Sequence, residues 1–231
     1  MKIVVVIPAL DEADAIGAVI AAIPTELGCE VVVVDNGSTD DTARCAREAG
    51  ATVLRADPPG YGRACRFGAE HALAAAADIV VFLDGDLSDD PTDMRALVAP
   101  IVAGEADLAI GSRLRGGLVP GAMPWHQQIG NRLIAATLRP LYGLALTDLG
   151  PFRAIRADFY GRLEMHEMTY GWPVEMLAKA ARTGGRVREI PVAYRPRIGR
   201  SKISGTVRGT VGATYFLLTR TLLYARWRAR G

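Results

Sequence analysis

The chain has 231 residues, of which 50% are hydrophobic and 23% are charged, and its formal net charge at pH 7 is +2. This composition excludes a disordered chain, and the length allows one large domain with a full hydrophobic core. Three cysteines without metal-type spacing favour a reducing compartment. The first apolar run ends at Pro8 and no apolar run reaches about 18 residues, so neither a signal peptide nor a conventional membrane span is expected.

The first 110 residues alternate short β-branched runs with Ala-rich helical segments. Strands are predicted at 2–9, 29–36, 51–56, 78–85 and 106–112, and helices at 12–24, 40–50, 62–77 and 92–103. Near-continuous apolar strands are typical of a parallel sheet that is buried on both faces. The alternation therefore predicts an open α/β sheet, whose ligands bind at the carboxyl ends of the strands.

The second half of the chain has a less regular pattern. Residues 113–124 are rich in Gly and Pro and predict a mobile loop, and 195–205 predict a second loop. Helices are predicted at about 125–142, 173–184 and 206–228, and strands at 147–155 and 186–194.

The last predicted helix has two apolar stripes on roughly opposite sides. The stripes consist of Val207, Val211, Tyr215, Leu218 and Leu222, and of Phe216, Leu223 and Trp227. Burial of both stripes in a monomer is one interpretation, and a homodimer interface or a membrane surface are the others. Nine basic and no acidic residues follow residue 189, so this end of the chain suits an anionic partner.

Four carboxylates follow the fourth predicted strand in the segment DGDLSDD. Asp84 and Asp86 are separated by one residue, so their side chains point the same way along an extended chain. Mg²⁺ and Mn²⁺ prefer carboxylate oxygens and substrate phosphates, which makes this pair a candidate metal site. For Asp89 and Asp90 we expect the simpler role of capping the next helix, whose dipole favours acids at its N-terminus.

These segments together carry a family resemblance. VVIPALDE at 5–12, VVDNGSTDDT at 33–42 and FLDGDLSDDP at 82–91 each follow a predicted strand, and they resemble the GT-A glycosyltransferases of family 2. TDLGPFRAI at 147–155 and RIGRSKISG at 197–205 resemble the dolichol-phosphate mannose synthase-like branch, which makes polyprenyl-phosphate sugars from nucleotide sugars. The resemblance implies an α/β, Rossmann-like GT-A catalytic domain at 1–205 and a basic amphipathic helix at 206–231.

The resemblance also implies roles for individual positions. The nucleotide-sugar pocket would be formed by Pro8, Ala9, Glu12, Asp35, Gly37, Ser38, Asp84 and Asp86. Mg²⁺ or Mn²⁺ would be bound by Asp84 and Asp86, and the catalytic set would be Asp86, Asp148, Glu175 and Arg113. Acceptor and phosphate groups would be bound by Arg113, Arg197, Arg200, Ser201 and Lys202. Ser88 and the pair Gly150-Pro151 depart from the family pattern, and the latter leaves the sugar open.

The implied reaction is inverting transfer of a hexose from GDP-mannose or UDP-glucose to a polyprenyl phosphate. A phosphate acceptor is already ionised near neutral pH and needs little general base, whereas a hydroxyl acceptor would need Asp148 or Glu175. We therefore expect a cytoplasmic enzyme that works at the inner face of the cytoplasmic membrane.

Three alternatives remain at this point. The same transferase core can serve a soluble small-molecule acceptor. A sugar-phosphate nucleotidyltransferase is disfavoured because the first loop, PALDEADAI, is acidic and lacks glycine. A non-catalytic anion-binding module is disfavoured because the aromatic residues lie on helix stripes, not among the basic residues of a loop or sheet, so no nucleic-acid partner is expected.

Overall fold

A computed structural model of the chain describes residues 1–199 and 207–227. This part of the chain contains seven strands and eight helices. The strands are β1 Ile3–Ala9, β2 Glu30–Asp35, β3 Thr52–Arg55, β4 Ile79–Phe82, β5 Leu108–Ser112, β6 Arg153–Arg156 and β7 Val187–Pro191. The helices are α1 Ile16–Ala22, α2 Thr42–Glu48, α3 Tyr61–Ala74, α4 Met94–Val102, α5 Trp125–Tyr142, α6 Ala157–Leu163, α7 Trp172–Arg182 and α8 Val207–Tyr224.

The seven strands form one sheet in the order β3-β2-β1-β4-β6-β5-β7. All pairings are parallel except those of β6, which runs antiparallel to both β4 and β5. The predicted α/β class with a mostly parallel sheet is confirmed. The chain moves outward from β1 to β2 and β3, then returns to place β4 on the other side of β1. This reversal creates a crevice at the carboxyl ends of β1 and β4, where open α/β sheets bind ligands.

Alternate residues of each central strand supply two cores, one on each face of the sheet. On β1, Val4 and Val6 face the layer made by α3, α5, α6 and α7, and Ile3, Val5 and Ile7 face α1, α2 and α4. Strands buried on both faces explain the near-continuous apolar runs in the sequence.

Helix α3 lies unusually close to the sheet. A Cβ atom at Gly68 would lie 2.2 Å from Cγ1 of Val6, a separation that only glycine allows. The close approach fixes the position of Tyr61, the first residue of α3, beside the crevice.

Two local predictions need correction. Helix α6 was not predicted, and β6 begins only at Arg153, whereas a strand was expected at 147–155. Residues 148–152 have no regular structure, and Asp148 within them is buried. Strand β4 ends at Phe82, two residues before the DGD segment, so that segment belongs to a loop and is free of the sheet's hydrogen bonds.

Helix α8 buries neither predicted apolar stripe as a whole. Its buried side chains include Thr210 and Thr221, while Val211, Tyr215 and Leu222 are exposed. The helix packs on α5 and α7. Within residues 1–199 and 207–227, no helix combines the length and the hydropathy that a membrane span requires.

Candidate active site

The first two loops of the crevice are joined by hydrogen bonds at the ends of β1 and β2. The buried Asp35 carboxylate accepts from the Ser38 backbone N–H at 2.9 Å, across a turn in which Gly37 has φ 92°. The Asn36 N–H donates to the Ala9 carbonyl at 2.8 Å. A positive φ favours glycine, which explains the NGS sequence at this turn.

The first loop continues these contacts. The Asp11 N–H donates to Ser38 Oγ at 3.0 Å, and the Glu12 N–H donates to Thr42 Oγ1 at 2.8 Å. Pro8, the penultimate residue of β1, completes this edge. The structure thus brings together all six positions of the first two loops that were assigned to the nucleotide pocket.

The DGD loop follows β4 and holds Asp86 in a tight turn. Oδ1 of Asp86 accepts from the Ser88 N–H at 2.9 Å and from Ser88 Oγ at 2.6 Å. Oδ2 of Asp86 forms an ion pair with Nη1 of Arg197 at 3.0 Å, and the Asp86 carbonyl accepts from the Ile198 N–H at 2.9 Å. Ser88, the residue that departs from the family pattern, therefore orients Asp86.

Asp84 lies on the wall of a cavity beside Asp86. Its Oδ1 accepts from the Tyr61 hydroxyl at 3.3 Å. Burial and the neighbouring Asp86 carboxylate raise the pKa of Asp84 to about 7, although Arg197 and Arg113 oppose the rise. Two carboxylates so close together are stabilised in their ionised forms only when a cation lies between or beside them.

Arg113 and Asp148 form a buried bidentate pair opposite the DGD loop. Nε and Nη2 of Arg113 donate to the Asp148 carboxylate at 2.7 and 2.8 Å, and the Arg113 N–H donates at 3.0 Å. Burial alone would raise the pKa of Asp148, but the Arg113 guanidinium holds that pKa below its ordinary value. The guanidinium also lies over the Tyr194 ring, 5.1 Å from its centre. Asp148 is therefore an ionised group that orients Arg113.

A cavity of about 220 Å³ joins these groups. Asp84, Arg113 and Arg197 line it on the side of the sheet, and the walls of α5 and α8 include Ile134 and Leu217. One carboxylate and two guanidiniums thus meet next to a mixed helical wall, whose residues are Gln127, Gly130, Asn131, Ile134, Thr210, Ala213, Thr214 and Leu217. The guanidiniums suit a phosphorylated ligand, and the apolar members of the wall can contact an apolar portion of it.

Asp84 and Asp86 are the carboxylates of the DGD loop that could hold a divalent cation together with oxygens of a ligand. The structure already places a cation, the Arg197 guanidinium, on Oδ2 of Asp86. In residues 1–199 and 207–227, however, no cluster of three His, Cys, Asp or Glu side chains can hold a metal alone. Mg²⁺ and Mn²⁺ are commonly bound by one or two carboxylates plus substrate phosphates, and Asp84 and Asp86 are of the type that such a shared site uses.

Because Arg197 and a metal would bind the same carboxylate, Arg197→Gln is expected to raise the affinity for Mn²⁺ without nucleotide. The expected gain is about fivefold, which corresponds to about 1 kcal/mol for an ion pair near the surface. Titration calorimetry of the nucleotide-free protein with Mn²⁺ measures it. Arg195→Gln is the matched control, because Arg195 lies two residues before Arg197 but is paired with Asp90 and not with Asp86. Unchanged or weaker Mn²⁺ binding in Arg197→Gln would show that the two cations do not compete.

For Glu175 the resemblance left two roles open, one in catalysis at the sugar and one in supporting the structure, and its side chain is buried outside the lining of the cavity. Its carboxylate accepts from the backbone N–H groups of His166 and Glu167 at 2.9 and 2.7 Å. It also forms a fully buried ion pair with Lys179 at 2.8 Å. We infer that Glu175 anchors the turn between α6 and α7.

Glu175→Gln should therefore lower the free energy of unfolding substantially and change kcat only slightly. Removing one charge of a buried pair typically costs about 3–5 kcal/mol, because the other charge is left without a partner. Denaturant unfolding measures this loss, and kcat of the folded fraction should stay within a few-fold of the wild type. A large fall in kcat at unchanged stability would restore the predicted catalytic role.

Sequence reasoning missed Tyr61 and Tyr194, and it misassigned Asp89. Asp90 caps the turn at Pro91–Asp93 by accepting from the Thr92 N–H at 3.0 Å, as predicted. Asp89 does not cap: it is buried, and neither carboxylate oxygen has a hydrogen-bond partner among the described residues. Burial raises its pKa well above the ordinary value, an effect that the nearby Arg113 opposes. Tyr61 and Tyr194 could not be recognised as site residues from the sequence, because the groups that they contact, Asp84 and Arg113, are distant from them in sequence.

Arg200, Ser201 and Lys202, three of the predicted phosphate-binding residues, lie outside the described part of the chain. Arg197, from the same segment, does reach the cavity.

Comparison with known proteins identifies the family. The model of glycosyl transferase family 2 matches residues 4–163. The chain belongs to glycosyltransferase family 2. An uncharacterised glycosyltransferase of Mycobacterium tuberculosis is 40% identical over 211 residues, which are 90% of this chain and 93% of the relative.

Two further similarities bear on the predicted branch and fold. The undecaprenyl-phosphate mannosyltransferase of Micrococcus luteus is 32% identical and covers 98% of this chain and 96% of its own. The solved structure of glucosyl-3-phosphoglycerate synthase from M. tuberculosis, in complex with Mn²⁺, UDP and glucosyl-3-phosphoglycerate, is similar with a TM-score of 0.76 and 25% identity. It covers 97% of this chain and 80% of that one. The predicted GT-A fold and the resemblance to the polyprenyl-phosphate branch are confirmed, and the chain is a hexosyltransferase.

Proposed function

We propose that this enzyme transfers a hexose from a nucleotide-diphosphate sugar to the phosphate of a polyprenyl phosphate, with inversion at the anomeric carbon. The observation that carries the proposal is the cavity in which Asp84, Arg113 and Arg197 meet the apolar side chains of Ile134, Ala213 and Leu217 on α5 and α8. A metal-binding carboxylate, two phosphate-binding cations and an apolar surface are the three features that such a pair of substrates requires.

On the donor side, the residues would bind the nucleotide and its diphosphate. Asp35 and the loops that it joins to β1 would bind the base and ribose, and Asp84 and Asp86 would hold Mg²⁺ or Mn²⁺. When bound, that ion supplies positive charge to the diphosphate leaving group. The bond between the anomeric carbon and the diphosphate oxygen breaks, and the nucleoside diphosphate keeps the electron pair.

On the acceptor side, Arg113 and Arg197 would position a phosphate whose oxygen attacks the anomeric carbon from the opposite face. Guanidinium groups bind phosphate oxygens in a bidentate manner, and this geometry orients the nucleophile. Because the phosphate monoester is already ionised near neutral pH, no general base is needed. Asp148 would then act by holding Arg113, since both of its carboxylate oxygens accept from that guanidinium.

A soluble phosphorylated acceptor is the second candidate. It is favoured by the structural similarity to a synthase whose complex contains glucosyl-3-phosphoglycerate. Ile134, Ala213 and Leu217 in the wall of α5 and α8 favour the polyprenyl acceptor, because an isoprenoid chain would cover these apolar side chains and a small polar acceptor would not.

The experiment is release of nucleoside diphosphate from UDP-glucose and from GDP-mannose, with Mg²⁺ or Mn²⁺, in the presence of a short-chain polyprenyl phosphate or of 3-phosphoglycerate. Release that needs both the metal and the polyprenyl phosphate supports the proposal and identifies the donor. Release with 3-phosphoglycerate alone supports the second candidate. If the enzyme binds a donor but transfers the hexose to neither acceptor, both acceptor proposals are wrong, and the family assignment is unaffected.

The proposed acceptor is a membrane lipid, so the enzyme would work at a membrane surface, and we place it at the cytoplasmic side. We also propose a division into a catalytic domain at 1–205 and a helix at 206–231. The helix α8 is part of the site as well, because it supplies part of the cavity wall.

A further inference from the structure

Glu189, on the edge strand β7, is a buried carboxylate that contacts the backbone of Asp148. Only 4% of its side chain is exposed. Its Oε1 accepts hydrogen bonds from the Thr147 N–H at 2.7 Å, from the Thr147 hydroxyl at 2.8 Å and from the Asp148 N–H at 3.0 Å. A single carboxylate oxygen therefore fixes the backbone at the start of the turn that carries Asp148.

The turn at 148–152 obtains many of its backbone hydrogen bonds from side chains. It has no regular structure, and buried backbone groups need partners. The fully buried Arg153 guanidinium donates to the carbonyls of Leu149 and Gly150, at 3.4 and 2.8 Å. Glu189 accepts from the N–H groups at the start of the turn. A buried anion and a buried cation thus hold the backbone from which the Asp148 side chain projects.

Glu189 also contacts the segment that follows β5. Its Oε2 forms an ion pair with Nη1 of Arg115 at 3.5 Å, and its carbonyl accepts from the same nitrogen at 3.3 Å. Ser112, fully buried at the end of β5, accepts from the Arg115 N–H at 3.2 Å and shares a hydrogen bond of 2.8 Å with the Thr147 hydroxyl. The segment after β5, which carries Arg113, is therefore joined to the turn through Glu189 and Ser112.

We propose that Glu189 is a positioning residue for the acceptor phosphate and acts through Asp148 on the Arg113 guanidinium. Asp148 directs that guanidinium with both of its carboxylate oxygens, and Glu189 holds the backbone that sets the direction of the Asp148 side chain. A guanidinium binds phosphate through two parallel bonds only when its planar fork faces the phosphate, so a small rotation removes one of them. The effect on the acceptor rests on the proposed function, whereas the effect on Arg113 does not.

Two substitutions of Glu189 separate the reach of the side chain from its charge. Glu189→Asp keeps the negative charge, but the side chain is one methylene shorter and loses the contacts with the turn. Glu189→Gln loses the charge and keeps an oxygen that can accept at the same distance. We expect kcat/KM for a short-chain polyprenyl phosphate to fall about tenfold in Glu189→Asp, mainly through KM, and to stay within about threefold in Glu189→Gln. The KM for the donor should be unchanged in both variants.

The Nε–H group of Arg113 reports the same geometry without any substrate. Its NMR signal can be assigned by its loss in Arg113→Lys. Exchange of this proton with water should be about tenfold faster in Glu189→Asp than in the wild type, because its bond to Asp148 opens more often, and nearly unchanged in Glu189→Gln. Arg115→Gln should resemble Glu189→Gln, since it removes the ion pair and leaves the hydrogen bonds to the turn.

Asp107→Asn is the control for a general loss of stability, because Asp107 bonds to Arg186 at the opposite end of β5. It should change neither the acceptor KM nor the exchange of the Arg113 proton. Equal exchange rates and acceptor kinetics in wild type and Glu189→Asp would overturn the inference, and so would losses of equal size in Glu189→Gln or Asp107→Asn. If the wild type uses neither polyprenyl phosphate nor 3-phosphoglycerate, the proposed function fails, and the exchange rates alone support or overturn the role of Glu189.

Discussion

Replacing Asp86 by alanine is expected to lower kcat on the order of 10³-fold or more, with the fold intact. Loss of one group that stabilises charge in a transition state typically costs 10²–10³-fold, and here the change also removes a metal ligand. The fold should survive because Asp86 raises the pKa of Asp84 by charge repulsion, and its removal relieves that repulsion. Turnover at saturating donor, Mn²⁺ calorimetry and a thermal melt measure the three effects.

Asp90→Ala is the control for this prediction. Asp90 lies in the same loop, caps the turn at Pro91–Asp93 and pairs with Arg195, but it does not line the cavity. Its loss should change stability by about 1 kcal/mol, as for other caps, and kcat by only a few-fold. A fully active Asp86→Ala enzyme in metal-replete buffer would refute the metal assignment.

The sequence predicts the central sheet well because each central strand can be recognised from its own run of apolar residues. Strands buried on both faces must be apolar throughout, and the polar loops that follow them must lie at one edge. Asp35, Asp84 and Asp86 can therefore be assigned to that edge by sequence pattern alone, since each ends or follows such a strand. Strand β6 has only four residues and no pattern of its own. Its antiparallel place between β4 and β5 depends on pairing with residues more than 40 positions away.

Contacts between distant residues also explain what the sequence could not show about the site. Arg113 and Asp148 are 35 residues apart, and no local sequence pattern shows that both carboxylate oxygens of Asp148 accept hydrogen bonds from Arg113. Glu175 follows the family motif, yet its role depends on backbone N–H groups in the turn before α7.

The buried side of α8 shows a limit of hydrophobic periodicity. Thr221 is fully buried, and its hydroxyl is satisfied by the Leu217 carbonyl at 2.8 Å. The buried Thr210 and half-buried Thr214 face α5, where the close approach at Gly130 leaves room only for small side chains. Periodicity counts threonine as polar and so assigns the larger apolar residues to the buried side. Val211 and Tyr215, which periodicity groups into one apolar stripe, are therefore exposed in the structure.

Asp148→Asn should lose about 3 kcal/mol of stability and about 10²-fold in kcat/KM for the acceptor. The stability loss arises because Arg113, with only 12% of its side chain exposed, would keep its charge without its bidentate partner. The loss of activity arises because a misdirected guanidinium no longer positions the phosphate, and misplacement by about 1 Å can cost 10²-fold. Denaturant unfolding and steady-state kinetics at saturating donor measure the two effects, and donor affinity should not change.

Asp107→Asn separates the catalytic part of this prediction from the structural part. Asp107 also forms a bidentate pair, with Arg186 at 3.0 Å for both bonds, but it precedes β5 and lies at the opposite end of that strand from Arg113. This pair is more exposed than Arg113–Asp148, and Asp107 has a second partner in Arg156 at 3.1 Å. Its loss should lower stability without raising KM for the acceptor. If Asp148 were a general base, its variant would lose kcat and not acceptor affinity, and Arg113→Lys would remain active. Equal acceptor kinetics in Asp148→Asn and Asp107→Asn would instead show that the Arg113–Asp148 pair only supports the fold.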